Sequence, residues 1–325
     1  MRTLSSLLLL GLLAGTAASV AAADPPPIKV LVIDGQNNHA WPQTTPIIKK
    51  LLEDTRRFTV DVATSPPKLA LPPKPKDATP EDEKKYKAAV ADLEKAHRAA
   101  FEKFRPELAK YDVVVSNYNG EPWGKELNAD FEALLREGKI GFVVVHAANN
   151  AFGGWKEYNQ MIGMGWRGNT GGDRLYLDAD GKEVRVPTGT GDGSGHRYTG
   201  PFTVTVRDAE HPVTKGMPRE WLHVRDELYD NMRGPVENVK VLATAYSDKD
   251  KKGTGAHEPM IWTVAYGKGR VFHTPLGHDA NAMRCWGFAG TLTRGTEWAA
   301  TGAVTLPLPA AFPTADKPSP IAADK

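Results

Sequence analysis

Hydrophobic positions along this chain fall into short unbroken runs separated by stripes of helical period. Ile28–Ile33 (IKVLVI) is apolar at nearly every position, as a parallel strand buried on both faces requires. A polar loop with one glycine follows, Asp34-Gly35-Gln36-Asn37-Asn38-His39. Pro46–Arg56 then sets Ile47, Ile48, Leu51 and Leu52 on one helical face, and Phe58–Ala63 (FTVDVA) alternates as a second strand. Strand, helix, strand in this order predicts a right-handed crossover. Tyr111–Ser116 (YDVVVS), a helix over Asn128–Glu137 closed by Gly138, and Ile140–Val145 (IGFVVV) repeat the unit. A helix carrying Tyr158, Met161 and Ile162 comes next. Phe202–Val206, Val239–Ala245, Pro259–Tyr266 and Gly269–Phe272 read as later strands, and Ala282–Ala299 as the closing helix. The pattern predicts an open α/β fold with a mostly parallel sheet.

Some stretches break the period. Ser65–Thr79 is rich in Pro and Lys and reads as a surface linker. Thr79-Pro80-Glu81-Asp82 has the form of a helix cap, and Glu81–Phe104 continues as a highly charged helix with His97 on its solvated side. Together they predict an insertion over about residues 65–108. Gly163–Gly200 is long and Gly-rich, with a hairpin expected at Leu175–Val186 around Asp180-Gly181. Loops of this length are commonly functional, and Trp166, Arg167, His196 and Arg197 are its candidates for lining a pocket. The tail, 306–325, is rich in Pro and Ala and is expected to fray.

The first residues, MRTLSSLLLLGLLAGTAASVAAADPPP, pair Arg2 with an apolar core and an Ala-rich cleavage site. Residues 1–23 are therefore expected to be a signal peptide, residues 28–305 one domain, and the protein exported to a bacterial periplasm or beyond. No later run reaches the ~18 apolar residues of a membrane span, so no membrane contact is expected after cleavage. A formal net charge of +2 over 325 residues gives no reason to expect a nucleic-acid partner. The single cysteine, Cys285, has no internal partner and reads as a packed core thiol. The sequence leaves a homo-oligomer open.

Ligands of open α/β sheets bind beyond the carboxyl ends of the strands. Three strand ends here deliver imidazole: His39, His146, and the pair His273 and His278 in VFHTPLGHD. The ordered pieces VLVIDG…H, VVVHAA, HPVTKGMP, DELYD, PMIW…YGKGRVFHTPLGHD and RGTEWA span most of 28–300. As a set they resemble the trehalose-utilisation (ThuA-like) family, related to the class I glutamine amidotransferase fold. The resemblance implies a flavodoxin-like, doubly wound sheet with helices on both faces. It also implies carbohydrate metabolism, including conversions of 3-keto-glycosides, with a small carbohydrate as the partner.

The amidotransferase relatives carry a cysteine at the sharp turn after a strand. This chain has His146 there, between Val145 and Ala147, and no Ser, Thr or Cys, so glutaminase-type covalent catalysis is not expected. Imidazole is the natural proton shuttle near neutral pH, which makes His146 and His278 the expected acid/base pair. By the resemblance, His278 stands where the relatives keep their base. Asp279 is expected to orient it, and Asp226 and Glu227 add carboxylates able to take a proton alpha to a carbonyl. Isomerisation, epimerisation or elimination then needs no organic cofactor. Gly191-Asp192-Gly193-Ser194-Gly195 follows no strand into a helix and is no dinucleotide fingerprint. Asn37, His39, Tyr118, Asn149, Trp155 and Arg167 are the expected substrate contacts, with Trp41, Trp123 and Trp166 as further aromatic faces for sugar rings. His211, His223, His257 and His273 read as structural. Two alternatives stay open: a non-catalytic sugar-binding protein, and a metal-dependent hydrolase with Zn²⁺, Mn²⁺ or Ni²⁺ on His39, His146 and His278. All readings that share one site require those three imidazoles within ~10 Å, the reach of one small substrate.

Overall fold

The computed structural model describes residues 26–322. The expected signal peptide lies outside the described residues. The elements in order are β1 (Ile28–Asp34), α1 (Trp41–Glu53), β2 (Phe58–Thr64), α2 (Pro80–Lys103), β3 (Val113–Ser116), α3 (Lys125–Arg136), β4 (Gly141–Val145), α4 (Lys156–Ile162), β5 (Asp173–Leu177), β6 (Glu183–Val186), β7 (Gly195–Val206), β8 (Glu220–Asp230), β9 (Arg233–Gly234), β10 (Val239–Tyr246), β11 (His257–Tyr266), β12 (Gly269–Thr274), α5 (Ala280–Met283) and α6 (Trp286–Thr301). No helix among the described residues is long and apolar enough to cross a membrane.

One sheet runs β2-β1-β3-β4-β12-β11-β10-β7-β8. Its first five strands are parallel, in the doubly wound order expected. The next four extend it antiparallel. Successive residues of β1 face opposite sides. Val30 and Val32 belong to the core layer that holds Ile48 and Leu52 of α1 and Leu292 of α6, whereas Leu31 and Ile33 belong to the layer that holds Leu127 and Phe131 of α3 and Tyr158 of α4. Two apolar layers therefore sandwich the sheet, which is why the strands read as unbroken hydrophobic runs. The chain leaves β1 for β2 on one side and returns to β3 on the other. That reversal opens the crevice of a doubly wound fold beyond the ends of β1 and β3.

The charged insertion is helical as expected. Thr79 and Asp82 cap α2 reciprocally, and of this helix only Phe101 is buried. His97 pairs with Glu121 and is 16% exposed in its side chain, so it fastens the insertion to the body rather than lying free in solvent. Two other expectations need correction. The Gly-rich stretch ends in β7, which begins at Gly195. Register shifts at His196/Tyr198 and Gly200/Phe202 break its alternation and hid it. The tail does not fray through Ala322. Its backbone meets the body at Leu222 N to Thr314 O (2.8 Å), Trp286 N to Ser319 O (2.9 Å) and Ile321 N to Arg284 O (2.8 Å). Pro309, Phe312 and Pro313 lie against Gly287 and Gly290 of α6, where a Cβ would meet them at 3.1 Å. Proline composition suggested disorder, but here the rings fill the space that side-chain-free helix positions leave.

Buried charges fix the same corner. Arg294 donates to the carbonyls of Val213 (2.8 Å), Pro212 (2.8 Å), Lys215 (2.8 Å) and Leu306 (2.6 Å). Glu297 accepts from Arg57 Nε (3.0 Å), Thr305 N (2.9 Å) and Leu306 N (3.0 Å). The HPVTKGMP and RGTEWA pieces are thus two halves of one structural joint. The closing helix is interrupted at Cys285, whose Sγ caps α6 by accepting from Phe288 N at 3.3 Å.

Candidate active site

Four side chains converge at the carboxyl edge of the parallel strands. His39 comes from the loop after β1, His146 from the turn after β4, His278 from the loop after β12, and Glu227 from β8. Their ligand atoms all lie within 4.8 Å of one another. Ring centroids are 4.7 Å apart for His39 and His146, 4.6 Å for His39 and His278, and 5.5 Å for His146 and His278.

The turn after β4 does the most to place them. His146 takes φ of 45°, a left-handed conformation that a non-glycine residue holds only when its surroundings insist. Three sets of contacts insist here. Pro275 O accepts from His146 Nδ1 at 2.6 Å, and Tyr229 OH meets Nε2 at 3.1 Å. Tyr158 OH donates to Ala148 O at 2.8 Å. Arg167 donates to the carbonyls of Asn149 (2.9 Å), Asn150 (3.1 Å) and Ala151 (2.6 Å). A carbonyl only accepts, so His146 Nδ1 carries the proton, and Nε2, which faces the cluster, accepts from the Tyr229 hydroxyl.

Asp226 sets the other two arms. It is 1% exposed. Its Oδ1 accepts from the backbone N–H of Glu227 (2.8 Å) and His278 (3.0 Å), and its Oδ2 from Gly277 N (2.7 Å) and His223 Nε2 (2.9 Å). One carboxylate thus ties β8 to the loop that presents His278. Glu227 and Tyr229 alternate onto the same side of β8 and both face His146. Glu227 lies 3.1 Å from His278 Nδ1, 3.6 Å from His146 Nε2 and 3.6 Å from His196 Nε2.

Electrostatics follow from this crowding. Burial pushes the His39 imidazole down to about 4, with His146 and His278 adding to the effect. Burial alone would raise Glu227, but the neighbouring His146 and His278 imidazoles outweigh it and hold the carboxyl well below the usual range. His278 is raised, chiefly by its contact with Glu227. A carboxylate that stays ionised among imidazoles can hold them in place, bind a cation or orient a hydroxyl.

The expected site residues divide. His39, His146, His278 and Glu227 meet directly. Asp226 and Asn37 act through others: Asn37 Oδ1 accepts from His39 N at 2.9 Å, and its amide donates to Asn117 O at 3.2 Å. Asp279 does not orient His278 but caps α5 through Asn281 N and Ala282 N, both at 2.8 Å. Four expected substrate contacts form the floor beneath the turn instead. Asn149 is fully buried against His273 and Met232. Tyr118 is fully buried, with its hydroxyl on Glu121 O at 2.5 Å. Trp155 donates to Glu132 at 2.6 Å and stacks on Tyr158. Arg167 is spent on the loop carbonyls. Tyr118 and Asn149 follow strand ends closely in sequence, but their side chains are fully buried. His273 packs as expected, on Trp262 and with Ile162 O at 3.2 Å.

Tyr229 and the pairing of His196 with Glu227 were missed. Alternation within DELYD carried the signal for Tyr229; the register shift at His196/Tyr198 obscured the other. Trp166 lies beside both, with ring centroids 5.6 Å from His196 and 4.7 Å from Tyr229. An aromatic wall therefore flanks the cluster, drawn from the long loop as expected, with Trp166 and His196 both partly exposed.

Known proteins agree with this architecture. No curated protein matches the chain. Among solved structures, a ThuA-like protein of Parabacteroides merdae is 39% identical, with a TM-score of 0.77 over 91% of this chain and 98% of its own. A ThuA-like protein of Bacteroides uniformis, 19% identical, shares the fold with a TM-score of 0.54 over 90% of this chain and 97% of its own. The family model described as trehalose utilisation matches residues 29–299, and with it the chain belongs to the ThuA family.

Proposed function

We propose that this chain is an exported enzyme that moves a proton on a sugar or 3-keto-glycoside, with His146 and His278 as the acid/base pair and Glu227 as the carboxylate that holds them. The family supports a carbohydrate role. The observation that carries the chemistry is one buried carboxylate within 3.1–3.6 Å of His146, His278 and His196 at the carboxyl edge of the sheet. A carbon alpha to a ketone is acidic enough for a positioned imidazole to deprotonate, and proton transfer by a positioned group contributes typically ~10²–10⁴-fold. His278 and His196, both partly exposed, are placed to return the proton. Trp166 offers the sugar an apolar face. Such a reaction is an isomerisation, epimerisation or elimination. The His146 elbow provides no attacking Ser, Thr or Cys, so no covalent acyl step is involved. Export rests on the N-terminal sequence pattern alone.

The test is a panel of glycosides and their 3-keto derivatives, followed by product analysis with the wild type, His146→Ala and His278→Ala. Turnover lost in both variants with ligand affinity largely kept supports the proposal. Ligand binding without turnover by the wild type would make the protein a sugar-binding module instead.

A further inference from the structure

We infer that His39, His146, His278 and Glu227 form a binding site for one divalent transition-metal ion of the Zn²⁺ type. The inference rests on the cluster being the reacting centre, as proposed above, but not on which sugar it serves. Their ligand atoms lie within 4.8 Å of one another. Around one ion, with bonds of about 2.0–2.1 Å, tetrahedral ligands stand roughly 3.3 Å apart. The set is therefore assembled and needs only a small contraction.

The partners around the cluster match what metal ligands require. A metal-bound imidazole gives its other N–H to a carbonyl or carboxylate, which fixes the tautomer and aims the free lone pair. His146 does this through Nδ1 and Pro275 O at 2.6 Å. Its backbone is held at φ of 45° in doing so. Asn37 Oδ1 fixes the backbone of His39 at 2.9 Å, and Asp226 fixes the backbones of both His278 and Glu227. His278 Nδ1 is buried with no well-aligned hydrogen bond, although it lies 3.1 Å from Glu227. A buried ring nitrogen aimed into the cluster without a proper hydrogen-bond partner is suited to coordinating a cation. Glu227 is 8% exposed and brings the one negative charge.

The donor set defines the ion. Three imidazoles and one carboxylate suit Zn²⁺, Mn²⁺, Ni²⁺ or Co²⁺, whereas Mg²⁺ and Ca²⁺ prefer oxygen shells. Cys285 lies outside the set, so thiolate chemistry does not enter. Such an ion would polarise a sugar carbonyl or hydroxyl and so acidify the neighbouring bond. His196, next to Glu227 but outside the four, is then the imidazole left to carry a proton.

The test is calorimetric titration of untagged, chelator-stripped protein with Zn²⁺, with Mg²⁺ as control. The expected result is one Zn²⁺ per chain at micromolar affinity or tighter, weakened at least tenfold in His39→Ala, His278→Gln and Glu227→Gln and unchanged in His257→Ala. Circular dichroism of each variant confirms folding, and the two conservative changes, His278→Gln and Glu227→Gln, cover the case of an unfolded alanine variant. No stoichiometric binding of Zn²⁺, Mn²⁺, Ni²⁺ or Co²⁺, or equal binding by the cluster variants, overturns the inference. Sugar turnover by stripped protein that binds no ion would overturn it while leaving the carbohydrate reading intact. One ion bound with no sugar turned over would do the reverse.

Discussion

Asp226→Asn is the perturbation whose consequences the structure fixes most tightly. The carboxylate receives four hydrogen bonds, two on each oxygen, and is 1% exposed. An amide presents one oxygen and one NH₂ in its place. If the NH₂ replaces Oδ2, it faces Gly277 N–H and leaves that donor unpaired. If it replaces Oδ1, the N–H groups of Glu227 and His278 are both orphaned. A buried group deprived of its partner costs about 1–3 kcal/mol, and breaking a buried ion pair about 3–5 kcal/mol. The substitution also removes the counter-charge facing His223, whose imidazole is raised: burial opposes the charge, but the Cys285 sulfur and the Asp226 carboxylate outweigh it. A loss of roughly 3–5 kcal/mol follows, and at about 2 °C per kcal/mol for a chain of this size the melting temperature should fall by roughly 6–10 °C. The assay is paired thermal melts at pH 7, with Asp279→Asn for comparison. Asp279 caps a short, partly exposed helix, so its loss should cost no more than ~1 kcal/mol. If Asp226→Asn melts within a degree of the wild type, Asp226 does not clamp β8 to the His278 loop, and the account of how the site is held is wrong.

Other consequences are simpler. Gly295→Ala puts a Cβ 2.3 Å from the Phe272 ring, so overpacking of about 1–3 kcal/mol should exceed the ~1 kcal/mol gain in helix propensity; a variant that melts at or above the wild-type temperature contradicts that close approach. Glu297 has a lowered pKa: burial raises it, but hydrogen bonds from Thr305, Leu306 N and Arg57 outweigh this. A depressed carboxyl stabilises the fold above its unfolded pKa of about 4.3, and that contribution disappears as pH falls through the folded value. The stability gap between wild type and Glu297→Gln, measured by urea titration, should therefore be full at pH 7 and close below about pH 4; a gap independent of pH would refute the assignment. Tyr229→Phe removes the hydroxyl at His146 Nε2 and should lower turnover while shifting the melt by under ~1.5 kcal/mol; unchanged kinetics would place Tyr229 outside the site.

Much of this could be read from the chain because the parallel strands are buried on both faces. Unbroken runs such as IKVLVI and FVVV can do little else, so β1 to β4 and the strand ends carrying His39, His146 and His278 followed directly. Alternation fails where a strand bulges, which is why the start of β7 read as loop and the pairing of His196 with Glu227 was not foreseen. Side-chain direction after a strand was the second blind spot. Asn149 stands three residues from His146, yet beyond the tight turn at φ of 45° it is fully buried while His146 faces the crevice. The tail misled through composition, because packing against Gly287 and Gly290 is a property of two distant segments together. Glu227 was legible as a carboxylate of DELYD, but its position among four imidazoles depends on β8 returning across the ends of the parallel strands, which no local pattern records.

The central claim is that the imidazoles held by Glu227 move a proton on a keto-sugar. Incubating 3-keto-glycosides with the protein in D₂O and following them by NMR tests it directly. The account predicts deuterium entering alpha to the carbonyl with the wild type and no more than background with Glu227→Gln. Equal exchange by the two proteins, or none by a folded, metal-supplied wild type across the panel, would contradict it.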